Sequence, residues 1–340
     1  MGKSFGLLYM GLRSTAGYTI ILTIVAMVLA TIDQGYYIIV NTFITGGMWA
    51  LMAMGLALVF GVMNIPNFAH GEFFMIGGLV GYYVQTALNH YVTIDPNPLL
   101  AEFAPLVTFF TAMVAGFLAG ILLELFVFRP LRKRSREEWI MNSFTLTLGI
   151  SVIMVNSHQL IFGANFKGIV KYWNVPSVSI FNCYVSFDRL FVFFLTCLVM
   201  VAFWMFMKFS RPGRAIRAVS QDETGASMVG INLNSIQTLT MAVSCGLAAL
   251  AGSCLLFIFP SYPTVGFMPL YNSFFAIIVA GLGNVVGAAI GGFIIAFFQV
   301  ITSVYIGEGW GFVIPSCLII LVLIFRPSGI FGSVVEGKHS

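Results

Sequence analysis

The chain has 340 residues, of which 59% are hydrophobic and only 8% are charged. A soluble domain of this size would aggregate with so little charge on its surface, so the composition excludes one and predicts a protein that crosses the membrane several times. The formal net charge of +4 is interpreted as an orientation signal rather than as affinity for nucleic acid.

Apolar runs of helical length follow one another along the chain. A bilayer core about 30 Å thick needs roughly 20 apolar residues of helix, and the alternating strands of a membrane barrel are absent. We predict an all-α polytopic membrane protein with about 8–10 transmembrane helices, including broken or re-entrant segments. The predicted spans are 18–32, 38–62, 72–93, 105–128, 140–163, 189–207, 236–259, 284–305 and 310–326, with a piece at 271–281 too short to cross.

The first run follows Lys3 and Arg13, as a cleavable signal would, but no small-residue cleavage site closes it. We therefore predict that residues 1–35 form an N-terminal extension with an additional membrane helix. The transmembrane domain then covers 36–332, with a cytoplasmic loop at 208–235, and 333–340 is a cytoplasmic tail. Placing the N-terminus inside leaves thirteen Lys and Arg residues in the cytoplasm and three outside, Lys167, Lys171 and Arg189. Both termini are thus predicted to be cytoplasmic.

A polar joint separates the second and third helices. It reads N-I-P-N-F-A-H-G-E and contains Asn64, Asn67, His70 and Glu72. One interpretation is a discontinuous helix whose free backbone groups line a path or gate. The other is a polar turn at the interface, with Glu72 near a helix N-terminus. No second ligand accompanies His70 at helical spacing, so no metal site is predicted.

A second break lies at residues 281–284, where Gly281, Gly283 and Asn284 are further candidates for the path or gate. Gly283, Gly287 and Gly291 are four residues apart, which predicts a ridge that lets helix backbones approach closely. Gly281, Gly283 and Gly287 also resemble a dinucleotide-binding fingerprint, but the last spacing is one residue too long and no predicted strand precedes them.

Two further features predict helix contacts. Ala112, Gly116 and Gly120 repeat the spacing of small residues on another helix. Glu124, five residues before Arg129, is interpreted as a structural ion pair or a snorkelling site.

The polar segment 210–232 interrupts a chain that is otherwise suited to lipid. Arg211, Arg214 and Arg217 follow one side of a predicted helix, and Met228 and Val229 are among its apolar residues. Gly213, Gly225 and Gly230 are predicted to divide the segment into short helices. One interpretation is that these short helices form a docking surface for a protein partner. The other is that the arginines bind anionic lipid headgroups. No nucleotide-binding or catalytic motif occurs elsewhere, so we do not expect an enzyme.

The chain resembles the permease subunits of bacterial ATP-binding cassette importers of the branched-chain amino acid type. The resemblance covers roughly residues 36–332. It depends on G-L-A-L-V-F-G-V at 55–62, N-F-A-H-G-E at 67–72, F-R-P-L-R at 128–132, R-P-G-R-A-I-R-A at 211–218, D-E-x-x-A-x-x-x-G-I-N at 222–232, G-L-G-N-V-V-G-A at 281–288 and R-P-S-G-I-F-G at 326–332.

This resemblance implies a bacterial inner-membrane complex. Its other members would be a second permease, related or identical to this chain, two cytoplasmic ATPases and a periplasmic solute-binding protein. The ATPases would use ATP and Mg, and this chain is expected to bind no cofactor itself. The segment 218–232 would be the loop that couples the permease to the ATPase. The coupling residues carried over are Arg214, Arg217, Asp222, Glu223, Ala226, Gly230, Ile231 and Asn232.

A branched-chain or other neutral amino acid is the favoured solute, and urea or a short amide is the alternative. An ion-coupled carrier or a channel would need charged residues or a filter sequence at membrane depth, and such residues are nearly absent.

Overall fold

A computed structural model describes residues 15–95, 97–134, 139–180 and 183–331. The helices within these ranges are α1 (Thr15–Gln34), α2 (Tyr37–Met63), α3 (His70–Ile94), α4 (Pro98–Leu123), α5 (Arg129–Arg134), α6 (Trp139–Phe162), α7 (Phe187–Phe209), α8 (Arg211–Gln221), α9 (Glu223–Met228), α10 (Leu233–Cys254), α11 (Phe267–Ala280), α12 (Val285–Tyr305) and α13 (Val313–Phe325). A π-helical turn (Glu124–Phe128) joins α4 to α5, and a 3-10 turn (Glu308–Trp310) precedes α13. Two short strands, β1 (Val178–Ile180) and β2 (Cys183–Val185), pair antiparallel.

The all-α, polytopic prediction is confirmed. Seven helical segments of the described residues are long and apolar enough to cross a membrane, and each overlaps a predicted span. The predicted spans 18–32 and 72–93, which fall in α1 and α3, are not among the seven. The largest errors concern two helix ends. α4 begins seven residues early because Asn97 caps it, accepting hydrogen bonds from the backbone N–H groups of Leu99 and Leu100, and Pro98 suits the first turn. α10 ends at Cys254 rather than at 259.

The two central helices, α2 and α10, are mostly buried. Glycines bring the neighbouring backbones close to them. A Cβ atom on Gly116 would lie 2.6 Å from the carbonyl oxygen of Cys245, and one on Gly120 would lie 2.8 Å from that of Met241. The predicted ridge on α4 therefore packs directly against the backbone of α10.

A helix, α1, lies where the additional membrane helix was predicted, and it is attached to the rest of the protein. Ala30 packs with Ile38, Phe297 and Val300, and the hydroxyl of Tyr305 donates a hydrogen bond to Asp33 (2.6 Å). Residues 1–14 and the predicted tail at 333–340 lie outside the described residues.

The loop between α6 and α7 is tied to two helices. The carboxylate of Asp188 accepts hydrogen bonds from the backbone N–H groups of Tyr172 and Trp173, both at 3.1 Å. The hydroxyl of Tyr172 donates to the carbonyl oxygen of Ser253. Burial raises the pKa of that hydroxyl well above its ordinary value, so it remains a proton donor. The loop is thereby fixed to the start of α7 and to the end of α10.

Glu124 forms a buried ion pair, but its partner is Arg132 and not the predicted Arg129. The π-helical turn begins at Glu124 and changes the register of the helix that follows, which contains Arg132. This shift explains why ordinary helical spacing did not identify the partner.

Candidate functional site

The polar segment after α7 folds into two short helices, α8 and α9. Ser210 caps α8 by accepting a hydrogen bond from the backbone N–H of Gly213 (2.9 Å), and Pro212 fits the first turn. Gly213, Ile216 and Val219 form the buried face of α8. The three arginines predicted to share one side are all exposed: Arg211, Arg214 and Arg217.

The two helices are separated at Asp222, not at the glycines that were predicted to divide the segment. Asp222 has an extended backbone (φ −153°) and occupies the position before α9, where aspartate is favoured. Gly213 and Gly225 lie inside the helices, and a Cβ atom on Gly225 would collide with the Asp222 carboxylate. Only Gly230 makes a turn of its own, with φ +86°.

An exposed apolar tip follows α9. Met228 is 82% exposed and Val229 is 78% exposed, whereas Ala226 beneath them is buried. The backbone N–H of Ile231 donates to the carbonyl of Ala226 (3.1 Å), which folds the chain back from the tip. Among the other predicted coupling residues, the exposed ones are Arg214, Arg217, Asp222, Glu223, Gly230 and Asn232.

Two polar contacts connect this region to α10. The side chain of Asn232 accepts a hydrogen bond from the backbone N–H of Ser235 (3.2 Å) and so caps α10. The amide of Gln237 donates to Glu223 (3.4 Å). The helix pair α8–α9 is thus attached to α7 at one end and to α10 at the other.

The joint between α2 and α3 lies mainly inside the protein. Asn64 is exposed and adopts a left-handed backbone (φ 53°), but Asn67, His70 and Glu72 are each 0% exposed. The side-chain oxygen of Asn67 accepts a hydrogen bond from the backbone N–H of Ala69 (3.1 Å). This local bond stabilises the turn that starts α3.

His70 connects the joint to the middle of the two central helices. Its Nε2 atom lies 3.2 Å from the carbonyl oxygen of Met52 on α2. The hydroxyl of Ser244 on α10 donates to the carbonyl of Gly55 (2.7 Å) and lies 3.5 Å from His70 Nδ1. Met52 is about three turns, or roughly 16 Å, from the end of α2. α3 therefore begins beside the middle of α2 and not beside its end.

Glu72 joins α3 to α6. One carboxylate oxygen accepts a hydrogen bond from the hydroxyl of Ser151 (2.8 Å), while the other has no partner among the described residues. One turn earlier on α6, the hydroxyl oxygen of Thr147 accepts from the backbone N–H of Phe68 (3.3 Å). A polar face of α6 thus packs against the joint.

The predicted short piece at 271–281 is α11, a helix of 14 residues. Such a helix is roughly 21 Å long and cannot cross a core of about 30 Å. The residue before it, Gly266, packs so closely on Gly71 that a Cβ atom on either glycine would collide with the other backbone. The first turns of α3 and α11 therefore meet within the protein.

The break after α11 is a turn of glycines with positive φ, +102° at Gly281 and +81° at Gly283. Asn284 caps α12 by accepting from the backbone N–H of Gly287 (2.9 Å) and donates to the carbonyl of Phe331 (3.2 Å). Gly283 lies in this turn and packs on Gly61 of α2. Only two glycines of the predicted ridge lie on α12 itself, Gly287 and Gly291.

A cleft of about 440 Å³ lies between α2, α7, α8 and the start of α12. It brings Gly283 and Asn284 next to Arg217 of the predicted coupling segment. The other predicted path residues do not line it: Asn64, Asn67, His70, Glu72 and Gly281. The residues predicted to form a path or gate therefore occupy two separate places, the buried joint and the turn beside α8.

A buried polar cluster was not predicted. The side-chain oxygen of Gln299 accepts hydrogen bonds from the indole N–H of Trp49 (2.9 Å) and from the amide of Asn272 (3.2 Å). The side-chain oxygen of Asn272 has no partner among the described residues. The only sequence signal was a polar residue within an apolar run, which is costly at membrane depth.

The sequence matches the family described as branched-chain amino acid transport system, permease component, over residues 38–323. It is 32% identical to the high-affinity branched-chain amino acid transport system permease protein LivH of Salmonella typhimurium, over 84% of this chain and 92% of that protein. It is 30% identical to BraD of Pseudomonas aeruginosa, which has the same description, over 86% and 94%. It is also 21% identical to the probable branched-chain amino acid transport permease LivM of Methanocaldococcus jannaschii, over 84% and 90%.

No solved structure matches the chain. The family match spans the joint, the segment α8–α9 and the turn after α11, and it begins after α1. With seven segments able to cross a membrane, the chain is a multi-pass membrane protein, and it belongs to the permease component family of branched-chain amino acid transport systems.

Proposed function

We propose that this chain forms the translocation path of an ATP-binding cassette importer for branched-chain amino acids in the bacterial inner membrane. The names of the relatives that are 30–32% identical support this solute over urea or a short amide. Both termini would face the cytoplasm, as the distribution of Lys and Arg indicates.

The observation that carries the proposal is the apolar tip on a firmly packed helix pair. Ile216, Val219 and Ala226 hold α8 and α9 against the protein, yet Met228 and Val229 point into water. Covering each of them fully with a partner would contribute about 1.5–3 kcal/mol. The neighbouring arginines and acidic residues would give that contact its specificity.

We assign the partner as a separate ATPase that binds ATP and Mg. This chain would supply the docking surface and hydrolyse nothing itself. The residues proposed to contact the ATPase or to shape the contact are Arg214, Arg217, Asp222, Glu223, Ala226, Gly230, Ile231 and Asn232.

A movement of the tip would be passed to the membrane helices through the elements that pack against α8. α8 packs on α2 and α7, with Ile216 and Val219 in the buried apolar core, and Gly61 of α2 packs on the turn at Gly283. The turn joins α11, whose first residues meet the start of α3 at Gly71. The joint, with Asn64, Asn67, His70 and Glu72, is therefore proposed as the gate that responds to the ATPase.

Two further partners complete the proposed importer. A second permease, related to this chain or a second copy of it, would cover the side of α6 that its own chain leaves exposed, including Thr145 and Asn156. A periplasmic solute-binding protein would deliver the amino acid at the opposite side, near the loop between α6 and α7.

The docking claim is tested with Val229→Asp. A carboxylate at the tip would oppose burial in an apolar contact, so the ATPase should no longer co-purify and leucine uptake should stop, while the permease still inserts. The control for co-purification is Val170→Asp, because Val170 is 93% exposed in the loop between α6 and α7, on the other side of the membrane. The ATPase should still co-purify with this variant, whereas its uptake is not compared, since the solute-binding protein is proposed to act near the same loop. Normal co-purification of the ATPase with Val229→Asp would contradict the assignment.

A further inference from the structure

The cleft beside α8 has an apolar inner wall that extends into the membrane. Met54, Leu58 and Val62 of α2 form one side, and Val285 and Val286 of α12 form another. Its volume of about 440 Å³ falls within the range of roughly 300–1,000 Å³ found for small-molecule sites. Met54 is about two and a half turns, or roughly 14 Å, from the end of α2, so the wall reaches the depth of the hydrocarbon.

The mouth of the cleft is basic. Lys208 and Arg217 line it together with the polar side chains of Ser220 and Asn284. The ammonium of Lys208 lies 4.7 Å from the ring centroid of Trp204, and Arg217 donates to the carbonyl oxygen of Lys208 (3.3 Å). No aspartate or glutamate of the described residues lines the cleft. Two positive charges therefore face the opening without a lining carboxylate.

We infer that this cleft binds an anionic membrane phospholipid. Lys208 and Arg217 bind the headgroup phosphate, and one acyl chain occupies the apolar wall as far as Met54. The charge complementarity follows from the cytoplasmic leaflet, which is rich in anionic lipids and faces the basic ends of membrane proteins. The lipid would lie between α8 and the turn at Gly283, in contact with both.

Two other occupants fit the cleft less well. A free amino acid needs an acceptor for its ammonium group, and the described lining offers no carboxylate. A docked ATPase would cover the mouth but could not reach a wall that lies roughly 14 Å inside the end of α2. A lipid fits both parts of the cleft, because its acyl chain matches the apolar wall and its anionic headgroup matches the basic mouth.

Trp204 provides a local probe, because it lines the cleft and is 44% exposed. The full chain is reconstituted in vesicles that contain either dibrominated phosphatidylglycerol or dibrominated phosphatidylcholine, whose bromines quench tryptophan fluorescence. The chain has five tryptophans, so the contribution of Trp204 is the difference between the wild type and Trp204→Phe. We expect phosphatidylglycerol to be preferred by roughly fivefold for each of the two basic residues.

Lys208→Gln should reduce this preference by roughly fivefold, and Arg217→Gln should reduce it similarly. The matched control is Lys133→Gln, since Lys133 is also basic and lies at the end of α5, away from the cleft. Equal quenching by both lipids would overturn the proposal, as would an equal loss in the control. Relief of quenching by leucine would assign the cleft to the solute instead and would also overturn it. The readout is lipid binding without an ATPase, so its failure leaves the docking claim intact.

Discussion

The contact between Gly283 and Gly61 can be tested by a single methyl group. Gly283 has φ +81°, and an added Cβ atom would lie 3.2 Å from the Cα atom of Gly61. Gly283→Ala therefore adds strain to the backbone and also overpacks the junction between α2 and the turn before α12. Because this junction connects α8 to the half-length helix α11, the variant should also reduce uptake.

The backbone strain and the overpacking each lower the free energy of unfolding by an amount that can be worked out separately. A left-handed backbone costs a residue with a Cβ atom about 1–2 kcal/mol, and overpacking typically costs about 1–3 kcal/mol. Gly283→Ala should therefore lower the free energy of unfolding by about 2–5 kcal/mol. Gly230→Ala isolates the first effect: Gly230 has φ +86° but nothing lies within 4 Å of its added Cβ atom. It should cost only about 1–2 kcal/mol.

Gly149 on α6 provides the control, because it is helical and has nothing within 4 Å of an added Cβ atom. Gly149→Ala should stabilise the protein by up to about 1 kcal/mol. Unfolding of the full chain in mixed micelles, titrated with a denaturing detergent and followed by circular dichroism, would rank the three variants. If Gly283→Ala and Gly230→Ala were equally destabilising, the packing argument at Gly61 would be refuted.

Two buried polar contacts give predictions for the same unfolding assay. Arg132→Ala leaves Glu124 buried without its cation and should cost about 3–5 kcal/mol; adding Glu124→Leu should recover most of the loss, and no recovery would contradict the ion-pair argument. Ser151→Ala removes the donor to Glu72 and should cost about 1–3 kcal/mol. Thr145→Ala on the other face of α6, where the hydroxyl bonds only its own helix, should change little; an equal loss there would assign the effect to α6 itself.

Most of the fold was predictable because lipid imposes a simple requirement on sequence. Each long apolar run contains a helix, as bilayer thickness requires, and the most charged segments form the short helices α5, α8 and α9 between the long ones. The start of α4 was missed because its cap, Asn97 with Pro98, precedes a turn that contains Glu102 and is not fully apolar. Hydropathy does not detect a helix that extends beyond the lipid.

The candidate site was predictable to different degrees in its two parts. The exposure of α8 and of the tip follows from local composition, and arginines at three-residue spacing share one side of a helix wherever it lies. The depth of the joint does not follow from local composition. His70 is buried because Met52 and Ser244 provide polar atoms at its position, and Ser244 is 174 residues away in the chain.

The position of α2 explains how a contact outside the membrane could affect a joint inside it. One end of α2 packs on α8 and on the turn at Gly283, and its middle contacts His70 through the carbonyl of Met52. At the turn, Gly61 and Gly283 place backbone against backbone, so few flexible side chains are available there to absorb a displacement. A close-packed interior transmits strain instead of dissipating it. A shift of α8 by the proposed ATPase would therefore move α2 as a unit and change the surroundings of His70, where α3 begins.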